Sequence, residues 1–259
     1  ALWDLAGQAA GQPVYRLLGG AFREAVDYFG FLQGDTAAAL EASARQAVAA
    51  GFTVIYMKVG RGEARDLANV AAVRGVIGDR RLRLDANEAW DVATAIRMIG
   101  RLAPFDPEFV EQPTPARSVA ALEQVKRAAA VPVAADQSVF TLHEVYEICR
   151  RQAADVIVLS IHEAGGLLAL RKAAAVAEAA GIGVCLHGQS VSGITDLAQH
   201  HVGLTLPNLT DGNQIMHPLL TEDLLAAPDL ALRRGRLGLP AGPGLGLALD
   251  PAAADRAAQ

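Results

Sequence analysis

Cysteine is scarce. Two residues, Cys149 and Cys185, are too few for a disulfide framework, so a reducing, cytoplasmic setting is expected. Positive charge is also in short supply: 23 Lys and Arg stand against 28 Asp and Glu, for a formal net charge of −5. A nucleic-acid partner, which needs a clustered basic face, is not expected. No uncharged apolar run approaches the roughly 18 residues of a membrane span, so no membrane partner is expected either. The opening ALWDLAGQAAG lacks the basic start and long apolar core of a signal peptide. It also lacks Met and reads as the inside of an amphipathic helix, so a longer protein is expected upstream. Aliphatic residues, by contrast, are abundant. At 52% hydrophobic and 20% charged, 259 residues exclude global disorder and suit one large α/β domain or two small ones.

Short apolar runs alternate with Ala-rich helical stretches. The expected strands are 26–31, 52–59, 81–86, 108–113, 131–136, 154–160, 183–188 and a weaker 206–212. Helical stretches such as 36–51, 63–78 and 166–181 separate them, several ending at a glycine. Strands that are apolar throughout, each followed by a helix, indicate parallel strands buried on both faces. Eight of them fit a closed (β/α) barrel. The FGFLQGDT turn lacks the glycine pattern of a doubly wound nucleotide binder.

Polar residues at the strand ends keep the same beat. Lys58, Asp85, Glu111, Asp136, Ser160, His187 and Gln214 follow one another at intervals of 27, 26, 25, 24, 27 and 27. In a (β/α) barrel that repeat places all seven at the mouth where barrel active sites are built. One such residue is readily a helix N-cap; seven in phase are not. Asp85, Glu111 and Asp136 come from consecutive strands about 4.8 Å apart, close enough to converge. Three carboxylates crowded together repel unless a cation lies between them. An all-oxygen donor set suits Mg²⁺, with Mn²⁺ next. The alternative makes Asp85 and Asp136 helix N-caps and Glu111 a salt-bridge partner.

The segments ALWDLAGQAAGQPVYRLLGG, YMKVG, LDANEAW, FVEQP, ADQS and the Gly-Gly at 165–166 resemble the barrel of the enolase superfamily, nearest its mandelate racemase and muconate-lactonizing branch. The resemblance runs from Ala1 through PGLGLALD. It implies a modified TIM-like (β/α)₇β barrel, here one domain with a leading helix at 1–20, the barrel at 26–216 and a C-terminal segment at 217–259. It also implies that the family's N-terminal α+β capping domain is absent from this chain. Asp85, Glu111 and Asp136 match the family's metal ligands, and the implied chemistry is removal of the proton α to a carboxylate with enediolate stabilisation. A small-molecule carboxylate and a homo-oligomer are the implied partners.

Lys58 matches the second Lys of the family's Lys-x-Lys motif, with Tyr56 in place of the first. A lysine beside a divalent cation gives up its proton more readily than one in water. The alternative is a lysine snorkelling from a strand end. His187 matches the acid or base opposite that lysine, and imidazole titrates near neutrality. Departures follow. Ser160 stands where one group has an orienting Asp and the other a catalytic Lys; its hydroxyl could accept the imidazole N–H, with His162 and Glu163 as substitutes. Gln214 replaces a Glu, and Gln137 another. Tyr56, Asn87, Ser160, His162 and Gln214 form the expected substrate-binding or orienting set.

The expected activity is therefore Mg²⁺-dependent α-proton abstraction, leading to racemisation, epimerisation, dehydration or cycloisomerisation. His162, Gln189, Ser190 and Gln214 tilt the substrate toward a hydroxy or sugar acid. The alternatives are a metal-binding barrel without turnover and, more remotely, a Mg²⁺-dependent aldolase or lyase.

Overall fold

The structure, a computed structural model, describes residues 1–188 and 191–257. Two helices, α1 (Leu2–Ala10) and α2 (Val14–Leu17), lead into the short strands β1 (Ala25–Asp27) and β2 (Gly30–Phe31). Strand and helix then alternate: α3 (Ala37–Ala49), β3 (Val54–Lys58), α4 (Glu63–Ile77), β4 (Arg81–Asp85), α5 (Val92–Leu102), β5 (Phe109–Glu111), α6 (Val119–Ala128) and β6 (Val133–Ala135). The series continues with α7 (Leu142–Arg151), β7 (Val156–Leu159), the single turn α8 (Ile161–Ala164), α9 (Leu167–Ala179), β8 (Gly183–Leu186) and α10 (Gly193–Gly203). The C-terminal segment adds β9 (Leu225–Ala227), β10 (Arg236–Gly238), β11 (Ala248–Leu249) and α11 (Pro251–Ala257).

Strands β2 to β8 are parallel and neighbour one another in sequence order, the arrangement of a TIM-like barrel. Their apolar composition follows from burial on both faces; Val54, Ile55 and Met57 of β3 are wholly inaccessible. The helices start where side-chain caps are supplied, by Thr36, Asp91, Ser118 and the Thr141/Glu144 capping box. Helix α5 turns Ala95, Met98, Ile99 and Leu102 inward, one face of a 3.6-residue period. Inside the barrel, Phe109, Ala134, Val158 and Cys185 form a plug, and the buried Arg83 guanidinium lies 4.7 Å from the Phe109 ring centroid.

Two expected strands differ from the structure. The run 26–31 is broken: β1 leaves the barrel to pair antiparallel with β10, and only Gly30–Phe31 pairs with β3. The run 206–212 forms no regular strand. Single parallel bridges, Val184 to Leu209 and Tyr28 to Asn213, close the eighth position instead. Pro207 has no N–H for a ladder, and Gly212 adopts φ 78° against Val54. The Asn213 side chain then takes over backbone duties, donating to the Asp27 and Thr210 carbonyls and accepting from Leu186 N–H. Arg83, ion-paired with Glu108, donates to the carbonyls of Asp211 and Gly212 from within the barrel.

Helix α10 fastens the C-terminal segment through two adjacent buried histidines. Tyr28 O–H donates to His200 Nδ1 at 2.9 Å, so His200 Nε2–H donates to the Gly238 carbonyl at 2.7 Å. The Tyr15 backbone N–H likewise fills His201 Nδ1, leaving Nε2–H for the Leu245 carbonyl. Burial holds both imidazoles below the usual 6.5, His200 at about 4. The unfolded chain therefore takes up a proton near pH 6.5 that the folded chain refuses until about 4. Stability is complete above that window and falls through it on acidification, by about 3 kcal/mol from His200. Urea unfolding at about pH 7.5 and about pH 4.5 measures the loss. His200→Gln, which keeps a donor and an acceptor, should show a smaller loss; equal losses contradict the assignment.

Candidate active site

Parallel pairing puts the strand-end residues side by side. Lys58 is the register partner of Asp85, and Asp85 of Glu111. On β3, Tyr56 precedes Lys58 by two residues and so shares its inward face. Asp136 follows β6 directly, and His187 follows β8. All of them line one cavity of about 300 Å³ at the C-terminal mouth, together with Asn87, Gln137, Phe140, Glu163, Gly188 and Gln214. A larger cleft of about 590 Å³ on the flank of α3 is lined by no titratable side chain and offers no acid–base chemistry.

The carboxylates are crowded and under-compensated. Asp85, Glu111 and Asp136 are all buried. The Tyr56 hydroxyl lies 2.6 Å from Asp85 Oδ2 and 2.9 Å from Glu111 Oε1, and with one proton it serves one carboxylate at a time. Lys58 Nζ donates to the same Asp85 oxygen. Burial, then the charges of Asp85 and Asp136, pushes Glu111 well above the usual carboxylate range. Burial likewise lifts Asp136 to about 6, against the opposing pull of His187. Tyr56 is driven well above 10 by burial and by Glu111 and Asp85. For His187, burial pulls downward, but the Glu163 hydrogen bond and the charges of Asp136, Glu163 and Asp85 outweigh it and leave the imidazole raised.

Two buried acceptors at this cavity, Asp136 Oδ1 and Gln137 Oε1, have no hydrogen-bond partner. His187 Nε2 is 3.3 Å from Asp136 Oδ1 and closer, 2.7 Å, to Glu163 Oε2, a carboxylate oxygen placed to accept an Nε2–H. Among the described residues, no three Cys, His, Asp or Glu side chains are gathered tightly enough to make a preformed metal cage. The Tyr56 hydroxyl and Lys58 ammonium are bonded to carboxylates that face a shared space. An acidic, oxygen-only donor set with orphaned acceptors fits a hard divalent cation.

The other expected site residues fare differently. Asn87 lines the cavity, and its backbone N–H holds Asp85 Oδ1 at 2.7 Å. Gln214 accepts the Gly188 N–H, fixing the turn after His187. Ser160 does not reach the imidazole. Its Oγ caps the His162 N–H at the start of α8, and the residue is buried behind the mouth. His162 is exposed and is not among the cavity-lining residues. Glu163, one residue farther, takes the imidazole instead. Gln189 and Ser190 lie outside the described residues.

Sequence reasoning missed Gln112. Its Oε1 accepts the N–H groups of Asp136 and Ser138, while Nε2 donates to Thr114 O and Ser138 Oγ. This inaccessible amide pins the end of β6 to the end of β5, and so Asp136 to Glu111. Its only sequence signal was its place in FVEQP. Gln112→Leu leaves the Asp136 N–H buried without that partner. It should cost about 3 kcal/mol in urea unfolding; an unchanged unfolding free energy contradicts the positioning role.

Comparison with known proteins gives the family. The family described as "Enolase C-terminal domain-like" matches residues 39–253. Muconate cycloisomerase 1 of Rhodococcus opacus is 37% identical over 255 residues, covering 96% of this chain and 68% of that protein. The solved muconate lactonizing enzyme of Pseudomonas putida superposes with a TM-score of 0.94 at 32% identity, covering 99% of this chain and 72% of that one. The L-Ala-D/L-Glu epimerase of Bacillus subtilis superposes with a TM-score of 0.90 at 29% identity, covering 95% and 69%. This chain is an enzyme of the enolase superfamily and belongs to its mandelate racemase and muconate-lactonizing branch.

Proposed function

We propose that the protein removes the proton α to a carboxylate in a small organic acid, with a divalent cation, Mg²⁺ first, held by Asp85, Glu111 and Asp136. The observation that carries this reading is the buried Asp136 Oδ1, without a hydrogen bond, at the cavity that Glu111 and Lys58 also line. When bound, the cation offsets the second negative charge that builds on the substrate carboxylate as the proton leaves. Lys58, on the β3 side of the carboxylate row, takes the proton through Nζ. Tyr56 donates its one hydroxyl proton to Asp85 or Glu111 and steadies whichever carboxylate accepts it. His187, at the end of β8, stands at the other end of that row and holds or returns a proton. The low-dielectric cavity strengthens each of these interactions.

Groups at both ends of the row support epimerisation, in which one removes the proton and the other replaces it. Cycloisomerisation needs only one of them. The similar proteins are named for these two outcomes, muconate and chloromuconate cycloisomerases and the L-Ala-D/L-Glu epimerase. Of the residues behind the hydroxy- or sugar-acid expectation, Gln214 lines the cavity and His162 is exposed outside it, while Gln189 and Ser190 lie outside the described residues.

The test is α-proton exchange in D₂O with muconolactone, Ala-Glu dipeptides and a set of hydroxy and sugar acids. Exchange that needs Mg²⁺ and stops with chelator is expected for at least one class. Exchange indifferent to chelator, or none with any class, overturns the reading; the latter leaves a cation-binding barrel without turnover.

A further inference from the structure

The β7–α8 turn is held without help from Glu163. Ser160 Oγ accepts the His162 N–H. Gln199, buried in α10, accepts the Ile161 N–H at 2.9 Å and donates to the His187 carbonyl at 2.8 Å. That one amide already ties the turn to the end of β8, and Gln214 fixes the next residue, Gly188. The contact between Glu163 Oε2 and His187 Nε2 is therefore surplus to backbone folding. It is nonetheless short, 2.7 Å, between side chains only 12% and 14% exposed, and both line the cavity. Gly165 and Gly166, at φ 86° and 124°, stop α8 after one turn and leave Glu163 at the mouth.

We propose that Glu163 is the positioning residue for His187. By accepting the Nε2–H it fixes the ring and its tautomer at the cavity wall, and it diverts that N–H from Asp136 Oδ1, 3.3 Å away. The strand-end position that could have held such an acid is Ser160, whose hydroxyl is engaged elsewhere; the carboxylate arrives from the turn instead. Without Glu163, the imidazole N–H is free to pair with Asp136 and compete with a cation for that oxygen.

The inference rests on the proposed reading of the site, yet its first readout needs neither metal nor substrate. Long-range ¹H–¹⁵N spectra of the metal-free full chain at about pH 9 report the tautomer of each neutral histidine, with His187 assigned through His187→Asn. Wild type should show the Nε2–H form. Glu163→Gln should keep it, because a carboxamide oxygen also accepts, and Glu163→Ala should lose it. In Glu163→Ala, Mg²⁺ affinity should fall, and adding His187→Asn should restore it. Where exchange is measurable, kcat should drop about 10- to 100-fold with KM within about twofold, and Glu163→Gln should recover most of the loss. An Nδ1–H tautomer in wild type overturns the proposal, whether or not Glu163→Ala folds. So do ring signals that are identical in wild type and Glu163→Ala. Failure of these signals leaves Mg²⁺-dependent exchange standing, and absence of exchange leaves the ring result standing.

Discussion

Replacing Lys58 with methionine should reduce α-proton exchange by about 10³-fold or more while leaving Mg²⁺ binding intact or tighter. General-base catalysis by a positioned side chain is worth about 10²- to 10⁴-fold, and among the described residues that line the cavity no second amine replaces Nζ. The binding half of the expectation has a separate cause. Lys58 Nζ donates to Asp85 Oδ2, an oxygen that Tyr56 also contacts. Deleting the ammonium removes a competitor for that carboxylate, so the cation meets a more negative site. Methionine preserves much of the buried stem, which keeps the packing cost low. Exchange with Mg²⁺ titration decides it. Exchange within tenfold of wild type would falsify the assignment of Lys58 as the base, and a collapse of Mg²⁺ binding would show that Lys58 organises the cation site instead.

Glu111→Gln should act in opposite directions with and without metal. Glu111 is buried between two other carboxylates, and its charge is unfavourable there. Glutamine removes that charge and keeps an oxygen for the Tyr56 hydroxyl at the same place. The metal-free variant should therefore be more stable than wild type at neutral pH by about 1–2 kcal/mol, a rise of several degrees in Tm for a chain of this size. Wild type should gain about 2.7 kcal/mol in Mg²⁺ at 100 times Kd, and the variant should lose nearly all of that gain. Thermal unfolding with chelator and with excess Mg²⁺ supplies all four values. A metal-free variant less stable than wild type, or an undiminished Mg²⁺ shift, contradicts the picture of Glu111 as a ligand kept at a stability cost.

Most of the barrel was legible because its strands are buried on both faces and because β3, β4, β5, β6 and β8 each lead into a polar residue that lines the mouth. The beat from Lys58 to His187 survives in the structure, and its pairing register brings Lys58, Asp85 and Glu111 abreast. The eighth position was not legible as it stands. Its pairing runs through the Asn213 side chain and the Arg83 guanidinium, and neither leaves a period-2 pattern. The split of 26–31 was hidden because β1 pairs with β10, which lies far along the chain. At the site, chain spacing pointed to Ser160, but a one-turn helix carries Glu163 to the imidazole. Gln112 and the His200/His201 pair escaped for a related reason. Their roles are set by which backbone groups they meet, and composition and periodicity carry no record of that.

Calorimetric titration of the metal-free wild-type chain with Mg²⁺ tests the central claim most directly. One site per chain should appear, weakened at least tenfold by Glu111→Gln and by Asp136→Asn. A titration that releases or absorbs no heat at several temperatures, with no Mg²⁺-dependent rise in Tm, contradicts the account.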